Sequence, residues 1–258
     1  MSPRLIPVML FAALGLPALA RADAVADLRA TLDRLQATQP LSATLNTSST
    51  THDDGDTGKT SRAQLQVSVA SGGDGLHIGF SPELLQRASK EAALNAKNKD
   101  TPTPIEDLLG KLSPVSVQPM VDFAPVLSRQ LDGATLASQR DEAHEGKPAH
   151  LLVFNVPLPA SASQQMTIKH YTGQIMVWVG ADGIPVAVRN VMEVKGRKLL
   201  ISIEVGNTTD YRLAVIGTRL VVLSRHTEET HSVFGKAGSS VTDAVLVPVA
   251  SAPVGAGG

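Results

Sequence analysis

The sequence predicts an α+β protein, mainly β: a curved antiparallel sheet or open barrel with an N-terminal helix and further helices inserted after the first strands. Three observations predict it. The region after a short apolar leader has apolar residues at helical spacing. Two helix starts carrying Ser or Thr followed by Pro stand near the middle of the chain. From Thr135 onward the pattern is almost all alternating apolar and polar residues broken by Gly, Asp and Asn turns.

The elements follow in order. Asp23 caps a helix in which Val25, Leu28, Leu32 and Leu35 recur at spacings of three and four, ending before Pro40. Alternation then sets in: Leu41, Ala43 and Leu45 against Ser42, Thr44 and Asn46 to about Ser48; Leu65, Val67 and Val69 from about Ser61; and, after Gly-Gly-Asp-Gly at 72–75, Leu76, Ile78 and Phe80. The first third is thus a helix and three antiparallel strands. Ser81-Pro82 opens a helix to about Lys97, and Thr103-Pro104-Ile105-Glu106 has the spacing of a capping box. Residues 119–131 form a weaker helical segment, kinked by Pro125, and the helical insertion spans about 82–131.

Strands are then predicted at Thr135–Glu142 and His150–Val156 around a Glu-Gly-Lys-Pro turn, at Gln165–His170 and at Gln174–Val179. After the Ala181-Asp-Gly183 turn, Ile184, Val186, Val188, Met192 and Val194 alternate with Arg189 and Glu193. Lys195-Gly-Arg197 turns into Leu199, Ile201, Ile203 and Val205, and Gly206-Asn207 into one long or two short strands over Tyr211–Arg225. Ala244–Val249 reads as a last edge strand and 251–258 as a disordered tail of small residues.

Arg4, an apolar run from Leu5 to Ala20, and the small residues around Ala22 read as a secretory signal peptide cleaved after Ala22, or after Ala24. The run holds 16 residues and two prolines, short of the roughly 20 that span a bilayer. The expected product is a soluble periplasmic protein, one domain over 23–250, and a monomer. Of the 23 Lys and Arg, Arg4 and Arg21 lie in the leader; the 21 remaining against 24 Asp and Glu give a net charge of −3. Such a chain carries no basic surplus for nucleic acid. Cysteine is absent, which excludes disulfides, thiolate metal sites, a cysteine nucleophile and a lipid-modified cysteine.

Several motifs suggest chemistry and then fail on their context. "HDDGDTGKT" ends like a phosphate loop, but Asp53 stands where the first glycine belongs, and strand rather than helix follows Thr60. It reads as the loop of the first hairpin, not as a nucleotide site. Asp54 and Asp56 resemble a calcium loop that lacks its bidentate glutamate. His226 and His231 are five apart, so they miss the one-turn spacing of a zinc helix and on a strand point to opposite faces; a solvated hairpin turn is the preferred reading. No G-x-S-x-G elbow occurs, and Asp141, Glu142 and Glu145 sit in a charged loop. No catalysis, metal or cofactor is expected.

The strand Gln174–Val179 is apolar on both faces, with Ile175, Val177 and Val179 on one and Met176 and Trp178 on the other, so both need cover. The entry helix with its Ser42-Ala43-Thr44-Leu45 strand, and Val177-Trp178-Val179 turning at Asp182-Gly183 into Ile184-Pro185, resemble the periplasmic lipoprotein-carrier (LolA-like) superfamily over roughly 24–249. The resemblance implies an unclosed β-barrel whose concave face is covered by helices and encloses an apolar cavity for acyl chains. The chain departs from that family's pattern in having only eight aromatic residues, and in having Ser71-Gly72-Gly73 where carriers have Arg-Pro.

The resulting expectation is a non-catalytic periplasmic binding or carrier protein for a lipid, acyl chain or lipoprotein. Strand alternation puts Leu76, Ile78, Phe80, Trp178, Val186, Val188, Ile201 and Ile203 on the inward face as the candidate lining. The alternative is an envelope interaction module with a filled core, working through an edge strand or the polar loop 95–104. A hydrolase is a third, weaker reading.

Overall fold

The computed structural model describes residues 17–35, 37, 39–53, 58–158, 167–199 and 201–249. The leader before Pro17, the aspartates 54 and 56 and the tail 251–258 lie outside them. The elements are α1 (Pro17–Arg34), β1 (Leu41–Asp53), β2 (Lys59–Gly72), β3 (Gly75–Gly79), α2 (Pro82–Lys97), α3 (Pro104–Gly110), α4 (Pro114–Val121), α5 (Ala124–Leu131), β4 (Thr135–Asp141), β5 (Ala149–Asn155), β6 (Thr167–Gly180), β7 (Pro185–Lys198), β8 (Ile201–Ile216), β9 (Arg219–Val233) and β10 (Lys236–Pro248). The strands form one antiparallel ten-stranded sheet in the order β3-β2-β1-β10-β9-β8-β7-β6-β5-β4. Its edges, β3 and β4, are not paired with each other, so the sheet stays open, as expected.

Helices cover one face of this sheet, here called the inner face. Leu28 and Leu32 of helix α1 and Leu35 just past its end are buried, three of the four predicted core positions, with Val25 half-buried. Arg29 ties α1 to the end of α5, donating to Asp132 Oδ1 and to the Leu131 carbonyl at 2.9 Å each; a cation there also suits the negative end of the helix. Beneath the helices the core is filled: Val117, Met120, Phe123 and Leu127 meet Leu45, Val67, Val177, Val188, Leu220 and Val222 in one buried cluster. The gap between α3 and β1–β2 measures about 30 Å³, room for little more than a water.

Arg219 locks this layer together. It is 3% exposed. Its Nε and Nη2 donate to the Gln39 carbonyl at 2.8 and 2.6 Å, Nη1 to Ser71 Oγ at 3.0 Å and the Val121 carbonyl at 3.3 Å, and Nη2 also to the Ser71 carbonyl at 3.5 Å. One side chain at the start of β9 thereby holds the linker into β1, the end of β2 and the end of α4.

Several boundaries differ from the sequence reading. Helix α1 starts at Pro17 rather than Asp23. Thr103 makes no side-chain cap; Glu91 Oε2 reaches over from α2 to accept from Ile105 and Glu106 N–H instead, while Ser113 forms a capping box with Ser116. The segment 119–131 contributes to two helices, broken at Asp122–Phe123. Gln165–His170 and Gln174–Val179 fall on a single strand within the described residues, β6. Gly206-Asn207 is not a turn but part of β8, paired on both sides; the missing side chain at 206 makes room for Thr230, whose Oγ1 would lie 2.6 Å from a Cβ there. His226–His231 lies within β9 rather than in a hairpin turn. Ala244–Val249 is not at an edge, because β10 pairs with both β1 and β9.

Candidate ligand-binding site

Strands β7 to β9 run past the helices, while α3 still lies over Ser49 and Thr51 of β1, and strand pairing fixes which residues share the inner face at each level. At the border of the filled core one row reads Thr47, Ala244, Arg225, Tyr211, Val188 across β1, β10, β9, β8 and β7. The next row outward is Ser49, Thr242, Thr227, Thr209, Asn190, polar at every position. Then come Thr51, Ser240, Glu229, Asn207 and Met192, and after them His231, Val205, Val194 and Tyr171. Val233 and Ile203 lie beyond. The face therefore changes from dry core to a polar belt, and from there to a mostly apolar outer part on β6 to β9.

The belt is hydrogen-bonded, though incompletely. Ser49 and Thr242 hydroxyls lie 3.3 Å apart, as do those of Thr209 and Thr227, and Thr209 donates to Asn207 Oδ1 at 3.1 Å. Asn190 Nδ2 donates to Gln130 Oε1 of α5 at 3.3 Å. Glu229 accepts from Asn207 Nδ2 and Ser240 Oγ at 3.2 Å each. Three buried atoms around the belt have no partner among the described residues: Thr47 Oγ1, Asn190 Oδ1 and Arg225 Nε. Burial pushes the Tyr211 hydroxyl pKa up, opposed by the nearby Arg225 charge and a hydrogen bond with Thr209.

In the outer part the apolar side chains face water. Met192, Val205 and Val233 are exposed by 39%, 36% and 37%, while Val194, Ile203 and Tyr171 are half-buried. A cavity of about 430 Å³ at this end of the sheet is lined mostly from the opposite, outer face, by Glu193, Lys195, Glu204, Thr230 and Ser232 among others, so it is not a pocket of the inner face. The His231 ring lies over Gly238, where a Cβ would come within 2.6 Å of it.

The structure divides the predicted lining between two faces and several levels. Val188 is inner and fully buried; Leu76 and Ile78 pack at the margin of the helix-covered core; Ile201 and Ile203 stand at the open end of the inner face. Phe80 is exposed just past β3. Trp178 and Val186 belong to the opposite, outer face, where they cluster with Leu151, Val153 and Ala187. A bulge separates Val186 from the alternation of Val188: Trp178 pairs with Ala187 and Val179 with Pro185, leaving Val186 as the extra residue.

The cover for this second apolar face is the β4–β5 loop. Glu142 Oε1 accepts from the Trp178 indole N–H at 3.2 Å, and the His144 ring lies 5.2 Å from the indole. Arg140 first and the indole second hold the Glu142 carboxyl below its usual pKa. Glu145 and Gly146, both at positive φ, make the tight turn that brings the loop back.

Elsewhere on the outer face, Arg189, Asp210, His226 and Asp243 form a ladder of alternating charge across β7 to β10. Arg189 binds Asp210 at 2.6 and 3.1 Å, and His226 Nδ1 lies 2.6 Å from Asp243 with Nε2 3.2 Å from Glu228. These two acids, Asp243 first, raise the His226 pKa. His231 is on the other face of β9, as strand spacing requires. Among the described residues no group of three His, Asp or Glu side chains is placed to hold a metal ion.

No family model matches the chain, and no curated protein sequence matches it. Among solved structures, the crystal structure of MucB in complex with MucA(peri) aligns with 87% of this chain and 93% of that one, at 8% identity and a TM-score of 0.17. A likeness that slight carries no argument. The structure defines an open antiparallel sheet with one helix-covered half and one amphipathic half that no described helix covers.

Proposed function

We propose that the protein is a non-catalytic binding protein of the cell envelope that receives an amphiphile, such as a lipid, an acyl chain or a lipid-bearing polypeptide, on the uncovered part of its inner face. The carrying observation is the exposure of Met192, Val205 and Val233 on the same face as a continuous belt of hydroxyl and amide groups. Each methylene placed against such an apolar surface contributes up to about 0.8 kcal/mol, and the belt offers partners for a polar group. The ligand lies on the open half because the helix-covered half is packed. Export to the periplasm rests on the apolar leader; of the described helices, none is long and apolar enough to cross a membrane.

A second reading, docking of a protein segment by strand addition, is favoured by the open edges at β3 and β4. Native mass spectrometry of protein isolated from its own periplasm, with titration of a fluorescent fatty acid, separates the two. Bound amphiphile, and affinity reduced about tenfold by Val205→Asp, is the expected result. Ligand-free protein that ignores the fatty acid would overturn the amphiphile reading.

A further inference from the structure

Arg225 occupies an unusual position for a cation. It stands on the inner face at the border between filled core and open half, half-buried, with Ala244 and Tyr211 as its cross-strand neighbours. Among the described residues it has no ion pair and no side-chain hydrogen bond, and its Nε is buried without a partner. The acid nearest along this face of β9, Glu229, directs its two oxygens to Asn207 and Ser240. The other described arginines that are not exposed are compensated: Arg219 by carbonyls and the Ser71 hydroxyl, Arg29 by Asp132 and the Leu131 carbonyl.

Burying part of a guanidinium without a counter-charge is costly, and the cost is removed when an anion arrives. A guanidinium suits an oxyanion because its N–H groups form a planar fork that matches two oxygens. Thr47, on the far side of Ala244 in the same row, has a buried hydroxyl with no partner and can donate to an oxyanion as well. The hydroxyls of Thr227 and Thr209 lie one row outward. Beyond the belt the apolar surface of Met192, Val194 and Val205 continues on the same face, where a hydrocarbon chain can lie.

We propose that Arg225, assisted by Thr47 and the threonines of the belt, binds the anionic head of an amphiphile, a carboxylate or phosphate, whose chain runs outward over Met192, Val194 and Val205. The inference rests on the amphiphile reading above and adds the head group and its orientation. A carboxylate and a phosphate monoester share the chemistry, and the test distinguishes them.

Palmitate, hexadecyl phosphate and hexadecanol are titrated against the full protein at fixed ionic strength, alongside Arg225→Gln and Arg225→Lys. Wild type is expected to bind at least one of the two anions about tenfold or more tighter than the alcohol, and the stronger anion identifies the head group. Arg225→Gln should remove most of that preference, and Arg225→Lys should retain part of it. If the alcohol binds as tightly as both anions, the head-group proposal is overturned while the amphiphile reading stands. If none of the three binds, both fall. Should Arg225→Gln not fold, the comparison of head groups on wild type still decides.

Discussion

Strand β9 carries two arginines on which the two halves of the molecule can be compared. Arg219 lies under the helices with all its N–H groups taken up by the carbonyls of Gln39, Ser71 and Val121 and the Ser71 hydroxyl. Arg225 lies at the border of the open half with a buried Nε that no described residue satisfies. Saturated polar groups specify a packed layer; an unsatisfied one marks a surface still lacking a component. The neighbouring positions on the two sides of β9 repeat the lesson, since on the outer side His226 stands between two carboxylates, while on the inner side Arg225 pairs with no carboxylate among the described residues.

The largest expected effect breaks or keeps the comparison outright. Arg219→Met leaves several buried carbonyls without donors and should cost about 3–5 kcal/mol in urea unfolding. Arg225→Met removes an uncompensated charge and should be neutral or stabilising, by about 1 kcal/mol at most. Equal destabilisation by both variants would show that Arg225 is an ordinary structural residue.

The outer face supplies the smaller test. His226 has a pKa raised above its ordinary 6.5 by Asp243 and then Glu228. A raised histidine stabilises fully below the unfolded value, and this contribution is lost as pH rises through the folded value. With its side chain 41% exposed, the contribution should stay below about 1 kcal/mol. His226→Asn should therefore lower stability at pH 5 and leave it unchanged at pH 9; a loss of equal size at both values would show that the ladder acts by packing and not by charge.

Much of the fold was legible because alternation and caps are local signals. Helix α2 was read from Ser81-Pro82 to Lys97 with both ends as found, and the first hairpin from the Asp and Gly residues between Asp53 and Lys59, which indeed pair. What escaped reading depended on partners distant in sequence. Glu91 caps α3 from another helix, and a bulge at Val186 reverses the face that strict alternation assigns. Gly206 reads as a turn until Thr230 is seen beside it.

The candidate site was less legible for a different reason. Strand alternation points to apolar residues as its lining, whereas the distinctive group is Arg225 with its belt of threonines. A signal for it was present: at constant parity, Leu41, Ala43 and Leu45 give way to Thr47, Ser49 and Thr51, and Leu246 and Ala244 to Thr242 and Ser240 on the paired strand. A switch of polarity halfway along one face of a strand marks where the apolar core ends. Trp178, the most conspicuous apolar residue, proved to serve the outer face, held by Glu142 and His144.

In the proposed binding mode the ligand sits on the open half of the inner face and not beneath the helices. Methyl NMR during titration with palmitate tests it most directly. The methyls of Met192, Val194, Ile203 and Val205 should shift with ligand while those of Leu127 and Val188, and the Trp178 indole, stay in place. Shifts confined to Leu127 and Val188, with the open-end methyls unmoved, would contradict it and return the ligand to the helix-covered core.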